Sequence, residues 1–124
     1  MKLQGRGIVI TGGSLGFGRA VAEACVSEGA DVLLCARGAA GLAEACTSLR
    51  ARATSGQRIA SLVADVSDPD SAMRLIESAQ RELPRFTGLV NNAGIYGPKG
   101  QISDVDWNDW VRAIEINLFG TVLP

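Results

Sequence analysis

Thr11-Gly12-Gly13-Ser14-Leu15-Gly16-Phe17-Gly18 stands between an apolar run, Gly7-Ile8-Val9-Ile10, and a small-residue helical pattern beginning Arg19-Ala20-Val21-Ala22-Glu23-Ala24. The order is strand, glycine-rich turn, helix start. Gly12, Gly16 and Gly18 permit a tight turn and a close backbone approach to a ligand, and the first N–H groups of the helix point at the same place. A phosphate suits such a site. The spacing is G-x-x-x-G-x-G rather than the common dinucleotide pattern G-x-G-x-x-G, so the loop takes its meaning from its neighbours. A triphosphate loop is disfavoured, because Arg19-Ala20 occupies the positions where Lys and Ser/Thr should follow Gly18.

Downstream the same alternation continues. The first helix runs to about Gly29, and Asp31-Val32-Leu33-Leu34-Cys35-Ala36 reads as a strand buried on both faces. Leu42, Cys46, Leu49 and Ala53 then recur at helical spacing until Ser55-Gly56-Gln57 breaks the pattern. Arg58 to Ala64 gives a third strand, and Ser67-Asp68-Pro69-Asp70 combines a capping side chain, an early proline and first-turn acidity. Ala72, Ile76, Ala79 and Leu83 form the buried stripe expected of the third helix. Gly88 to Asn91 is a short fourth strand, and a capped helix is expected from about Asp106, with Trp107, Trp110, Val111, Ile114 and Leu118 on one face. Asn91 is expected to be a structural loop residue, satisfying backbone groups. The two tryptophans are expected in a core or an interface.

Repeated β-α units predict an α/β fold: a Rossmann-like, doubly wound parallel sheet joined by right-handed crossovers. Ligands of such sheets lie at the carboxyl ends of the strands. All the unusual residue groups fall there: the glycine loop, Ala36-Arg37, Asp65-Val66 and Asn91-Asn92-Ala93-Gly94.

Composition narrows the partners. A net charge of −1 and a pI near 5.3 give no basic footprint for nucleic acid, and no stretch is long and apolar enough to enter a membrane. Neither partner is expected. Cys25, Cys35 and Cys46 lack a C-x-x-C spacing and fall at apolar positions, which predicts three buried thiols in a reducing cytoplasm. With no histidine in the chain, no metal site is expected.

Together, Thr11-Gly12-x-x-x-Gly16-x-Gly18, Asp65-Val66, Asn91-Asn92-Ala93-Gly94 and Ile116-Asn117-Leu118-Phe119-Gly120 resemble the short-chain dehydrogenase/reductase family. The likeness runs over the whole chain but corresponds to the amino-terminal half of a member. It implies a partial dinucleotide-binding domain over residues 1–124. Gly12, Ser14, Gly16, Phe17 and Gly18 would then hold the pyrophosphate, Asp65 and Val66 would border adenine, and Asn92, Ala93 and Gly94 would border the ribose. Asn117 is similar to the family's catalytic asparagine, which sits at a helix distortion and helps order a proton-relay water. In that family the fourth helix commonly pairs with its equivalent in a second subunit, and another strand lies beside strand four. A homo-oligomer, or self-association through a free strand edge, is therefore expected.

The departures from the pattern carry expectations of their own. The family's catalytic Ser and Tyr-x-x-x-Lys lie beyond the fourth helix and are not among these residues. The tyrosine normally passes the proton at the substrate oxygen and the lysine tunes it, so this stretch alone is expected to be inactive. Tyr96 and Lys99, three residues apart in a loop, are not read as that pair.

Cofactor choice turns on the end of strand two. NAD-preferring members place an acid there to meet the ribose 2′-hydroxyl, whereas this chain has Ala36 followed by Arg37. A guanidinium can grip a 2′-phosphate or stack on adenine, which favours NADP over NAD. Leu15 stands in the loop where NADP users often carry a basic residue, and favours neither. The resulting expectation is the cofactor half of an NADP-preferring oxidoreductase acting on a small carbonyl or alcohol. The alternative is a non-catalytic nucleotide-binding or protein-interaction module.

Overall fold

Successive strand residues point to opposite sides of a sheet, and in this chain that alternation sorts the core into two layers. In the computed structural model, which describes residues 1–124, the elements are β1 (Gly7–Thr11), α1 (Gly16–Ser27), β2 (Asp31–Ala36), α2 (Ala39–Arg52), β3 (Ile59–Val63), α3 (Pro69–Glu82) and β4 (Phe86–Val90). A last helical segment follows: α4 (Trp107–Ile114), a π-helical turn (Glu115–Phe119) and α5 (Gly120–Val122). Ile10, Val32 and Leu34 face α1 and α2, meeting Val26, Leu42 and Leu49. Val9, Leu33 and Cys35 face the other way, onto Leu75, Ala79 and Leu83 of the α3 side.

The sheet is parallel, in the order β3-β2-β1-β4. The chain thus winds outward from β1 to β3, then crosses back to place β4 on the other side of β1. The strand order reverses between β1 and β4, and the loops leaving their carboxyl ends open a crevice there. β4 is an edge strand, as is β3.

Local signals hold at the helix starts. Asp68 caps α3 by accepting the Ser71 N–H at 2.9 Å, with Pro69 in the first turn. Asp106 caps α4 by accepting the Asn108 N–H at 2.7 Å. Gly29, just past α1, has φ +90°, a left-handed conformation that disfavours a side chain. No helix is long and apolar enough to cross a membrane.

Several core assignments change. On the α3 side Ala72, Ala79 and Leu83 are buried as expected, but Leu75 completes the stripe and Ile76 is half-buried. In α2 Ala45 joins the core, while Ala53 lies past the helix end, half-buried. Cys25 is only half-buried, unlike Cys35 and Cys46. In α4 the core alternative for the tryptophans does not hold. Its most apolar face, with Trp107 (75% exposed), Trp110, Ile114 and Leu118, looks outward, and the inward face is Ala113, Ile116 and Gly120.

Candidate functional site

Thr11 ends β1 fully buried, and its hydroxyl accepts two backbone N–H groups, from Asn92 at 3.0 Å and Ala93 at 3.1 Å. The Asn92 amide returns the connection, donating to the Gly12 carbonyl at 3.1 Å. These bonds fasten the loop after β4 to the loop after β1 and fix the two lips of the crevice. Asn91, by contrast, is exposed and its side chain makes no hydrogen bond; the structural asparagine is Asn92.

Glycine is required in this loop for two distinct reasons. Gly12 has φ +65°, and a Cβ there would come 3.0 Å from the Ala93 Cα. At Gly18 a Cβ would collide with the Asn92 amide and the Gly12 carbonyl. Above them α1 begins at Gly16 with Leu15 as its cap residue, no capping side chain and no acid in its first turn. Its unpaired N–H groups and positive dipole end are open to an anion.

A cleft of about 520 Å³ runs from there across the strand ends, lined among others by Gly12, Ser14, Leu15, Arg37, Asp65 and Val66. It continues through Ala93, Gly94 and Ile95 into a second of about 630 Å³, which Phe17, Asn92, Tyr96 and Asn117 line. Eleven of the thirteen residues singled out from sequence line one cleft or the other. Gly16 and Gly18 do not; they shape the backbone beneath.

Arg37 is exposed beside the uncapped start of α2, where Gly38 is the cap residue and the first turn carries no acid. It forms no ion pair within the chain. Asp65 is arranged differently. Its Oδ1 accepts both the N–H (3.0 Å) and the hydroxyl (2.6 Å) of Ser67, and its Oδ2 accepts Arg112 Nη2 at 2.9 Å. Partial burial alone would raise the Asp65 pKa, but the hydrogen bonds from Ser67 and Arg112 outweigh it and bring it to about 2. Cys35, below the cleft, is pushed up to about 11 by burial and by the nearby Asp65 charge, so it is a protonated, inert thiol.

Asn117 sits within the π turn, whose register is marked by the Gly120 N–H reaching the Glu115 carbonyl. Both ends of its side chain hold one residue of the loop after β4: Oδ1 accepts the Ile95 N–H at 2.8 Å, and Nδ2 donates to the Ile95 carbonyl at 2.7 Å. The π turn turns Asn117 toward that loop while Ile116 stays buried against the cleft.

Sequence reading missed Thr11 as a fastener, and it missed Arg112, Ile95 and Ile116. Thr11 and Ile116 carried a signal by standing in the quoted motifs, Thr11 as a hydroxyl residue at the end of an apolar strand. Arg112 meets a partner 47 residues away, which no local spacing encodes.

The sequence pattern of the family described as short chain dehydrogenase matches residues 6–124. The chain belongs to that family. It is a family of oxidoreductases on a fold that binds NAD or NADP. One curated relative, 2-(S)-hydroxypropyl-CoM dehydrogenase 3 of Xanthobacter autotrophicus, is 38% identical over 98% of this chain and 46% of its own length. A family structure from Burkholderia phymatum in complex with NAD superposes with a TM-score of 0.89 at 31% identity, covering 98% of this chain and 42% of that one. L-Sorbose reductase of Gluconobacter frateurii, complexed with NADPH and L-sorbose, gives 0.88 at 34% identity, covering 98% and 45%. The chain thus spans slightly less than half the length of these family members.

Proposed function

We propose that residues 1–124 act as one dinucleotide-binding domain, the cofactor half of an NADP-preferring short-chain oxidoreductase acting on a small carbonyl or alcohol. The carrying observation is the cleft itself, which runs from Arg37, past the open start of α1, to Asn117. The residues fit a dinucleotide: Gly12 and Gly18 leave no room for a Cβ, and the helix start above them offers unpaired donors to a pyrophosphate. When bound, the nicotinamide supplies or accepts the hydride. Ser14 and the α1 start would hold the phosphates, Asp65 and Val66 would border the adenine, Asn92 to Gly94 would border the ribose, and Asn117 holds the loop at Ile95.

The NADP preference rests on Arg37. With Ala36 before it, no carboxylate stands ready for a 2′-hydroxyl. The free guanidinium and the uncapped start of α2 both favour a 2′-phosphate. Family structures named above hold NAD in one case and NADPH in another, so the family alone does not choose. Titrating the 124-residue chain with NADPH and NADH, following nicotinamide fluorescence, tests the reading. Tighter NADPH binding is the expected result, and equal or tighter NADH binding overturns the preference.

The chain alone is proposed to bind without turnover. A general acid must be held within reach of the substrate oxygen. In this cleft the Asn92 and Asn117 amides are engaged with backbone, and Tyr96 is 94% exposed with Lys99 over its ring at 4.8 Å. The proposed compartment is the cytoplasm, on the strength of three free thiols. A second reading, a non-catalytic binding or interaction module, is favoured by the outward apolar face of α4. That face also supports a homo-oligomer, as does the edge position of β4.

A further inference from the structure

Arg112, Ile116 and Gly120 lie four residues apart on the inner side of the last helical segment; Arg112 and Gly120 meet the turn that leaves β3, and Ile116 lines the same cleft. Arg112 donates to Asp65 Oδ2 at 2.9 Å and, through Nη1, to Ser67 Oγ at 3.0 Å. Ile116 is buried and lines the cleft with Asp65 and Val66. Gly120 sits so close to Val66 that a Cβ there would approach its Cγ2 to 2.6 Å. The residue after Ile116 is Asn117, whose amide holds Ile95 at the other end of the cleft. One helical segment therefore stands on the wall of one cleft and carries the key amide of the next.

The Asp65 carboxylate determines how the two ends communicate. Oδ1 already accepts two hydrogen bonds from Ser67, while Oδ2 accepts only that from Arg112. Each carboxylate oxygen offers two lone pairs, so the open acceptor position is on the oxygen Arg112 holds. An amino group entering beside Asp65 must share Oδ2 with Arg112, whose other contacts are Ser67 and, at 3.5 Å, Glu115. Such sharing changes the ion pair that anchors α4.

We propose that Arg112 is a positioning residue that ties the placement of Asn117 to occupancy of the adenine end of the cleft through Asp65. The inference rests on the cofactor reading above. Adenine binding that reshapes the Arg112–Asp65 pair biases the α4 anchor, and with it the π turn; a difference in contacts between the free and bound states is what any coupling requires.

The test uses the ¹⁵N-labelled 124-residue chain and ADP, which has an adenine but no nicotinamide with which to touch Asn117. The Asn117 side-chain amide signal is identified by its loss in Asn117→Asp. ADP is expected to shift that signal in the unmodified chain. Arg112→Gln is expected to bind ADP and lose the shift, and Arg112→Lys, which keeps a cation opposite Asp65, to recover part of it. ADP binding with no movement of the Asn117 signal in the unmodified chain overturns the proposal, and so does a full shift in Arg112→Gln. Absence of any ADP binding to the unmodified chain is a different result: it overturns the cofactor reading and this inference with it.

Discussion

The Thr11 hydroxyl and the backbone N–H of Asn92 lie 81 residues apart in sequence and 3.0 Å apart in space. The same oxygen accepts the Ala93 N–H, so one buried side chain serves two donors that have no strand partner. Thr11→Val removes the acceptor at nearly constant volume. The expected loss is about 1–3 kcal/mol, the cost of leaving buried donors unpaired, read from urea unfolding. Thr11→Ser keeps the oxygen and should recover most of it.

Gly18→Ala is expected to act on the site more than on the fold. The new methyl meets the Asn92 amide and the Gly12 carbonyl, pushing apart the contact that closes the crevice. Overpacking of this kind costs about 1–3 kcal/mol, and NADPH affinity measured by fluorescence should fall along with stability.

Arg37→Glu should invert the cofactor preference. It exchanges a donor for a carboxylate at the end of β2, which repels a 2′-phosphate and can accept from a 2′-hydroxyl. A hydrogen bond to a charged group contributes about 1.5–3 kcal/mol, so the ratio of NADPH to NADH dissociation constants should change by roughly tenfold or more. An unchanged ratio would mean that Arg37 is only a solvated loop residue.

Asp65 predicts a specific acid response. Its pKa falls from an ordinary 3.8 to about 2 on folding, so its ionised form stabilises the native state. That contribution is complete above about pH 5 and is lost as pH drops toward 2. Asp65→Asn removes this dependence. Unfolding midpoints of the two proteins should run parallel above about pH 5 and converge below it.

The outward face of α4 predicts association. Trp107, Trp110 and Ile114 are exposed on one side of a short helix, a patch that water solvates poorly. Sedimentation at micromolar concentration should show a species heavier than a monomer, and Trp110→Glu should shift it toward the monomer. A clean monomer of the unmodified chain would remove the homo-oligomer reading.

Much of this architecture is written locally. The continuous apolar runs of β1 and β2, the Ser67-Asp68-Pro69-Asp70 start of α3 and the glycines after β1 each point to the observed element. These signals depend on neighbours within a few residues. What was not legible depends on distant partners. The α4 tryptophans left core and interface both open, because hydrophobic periodicity identifies a face without saying what it touches. The helix's actual inner face, Ala113, Ile116 and Gly120 flanked by Arg112, is set by the loops after β3 and β4, where Asp65 meets Arg112 and Val66 leaves room only for Gly120. The same limit applies at Asn91 and Asn92. Both are loop asparagines, and only the approach of Gly12 decides which one becomes a fastener.

A π turn is an α-helical turn with one supernumerary residue, and Glu115–Phe119 has a length that a regular helix would not tolerate for its own sake. Deleting that residue would return an ordinary α-helical turn, and Arg112 and Gly120 on either side could keep their places, because a π turn absorbs its extra residue locally. What would be lost lies inside the bulge: Asn117 facing Ile95 while Ile116 faces the cleft. The surplus residue is thus spent on aiming one amide, and the two contacts that seat the helix do not depend on it.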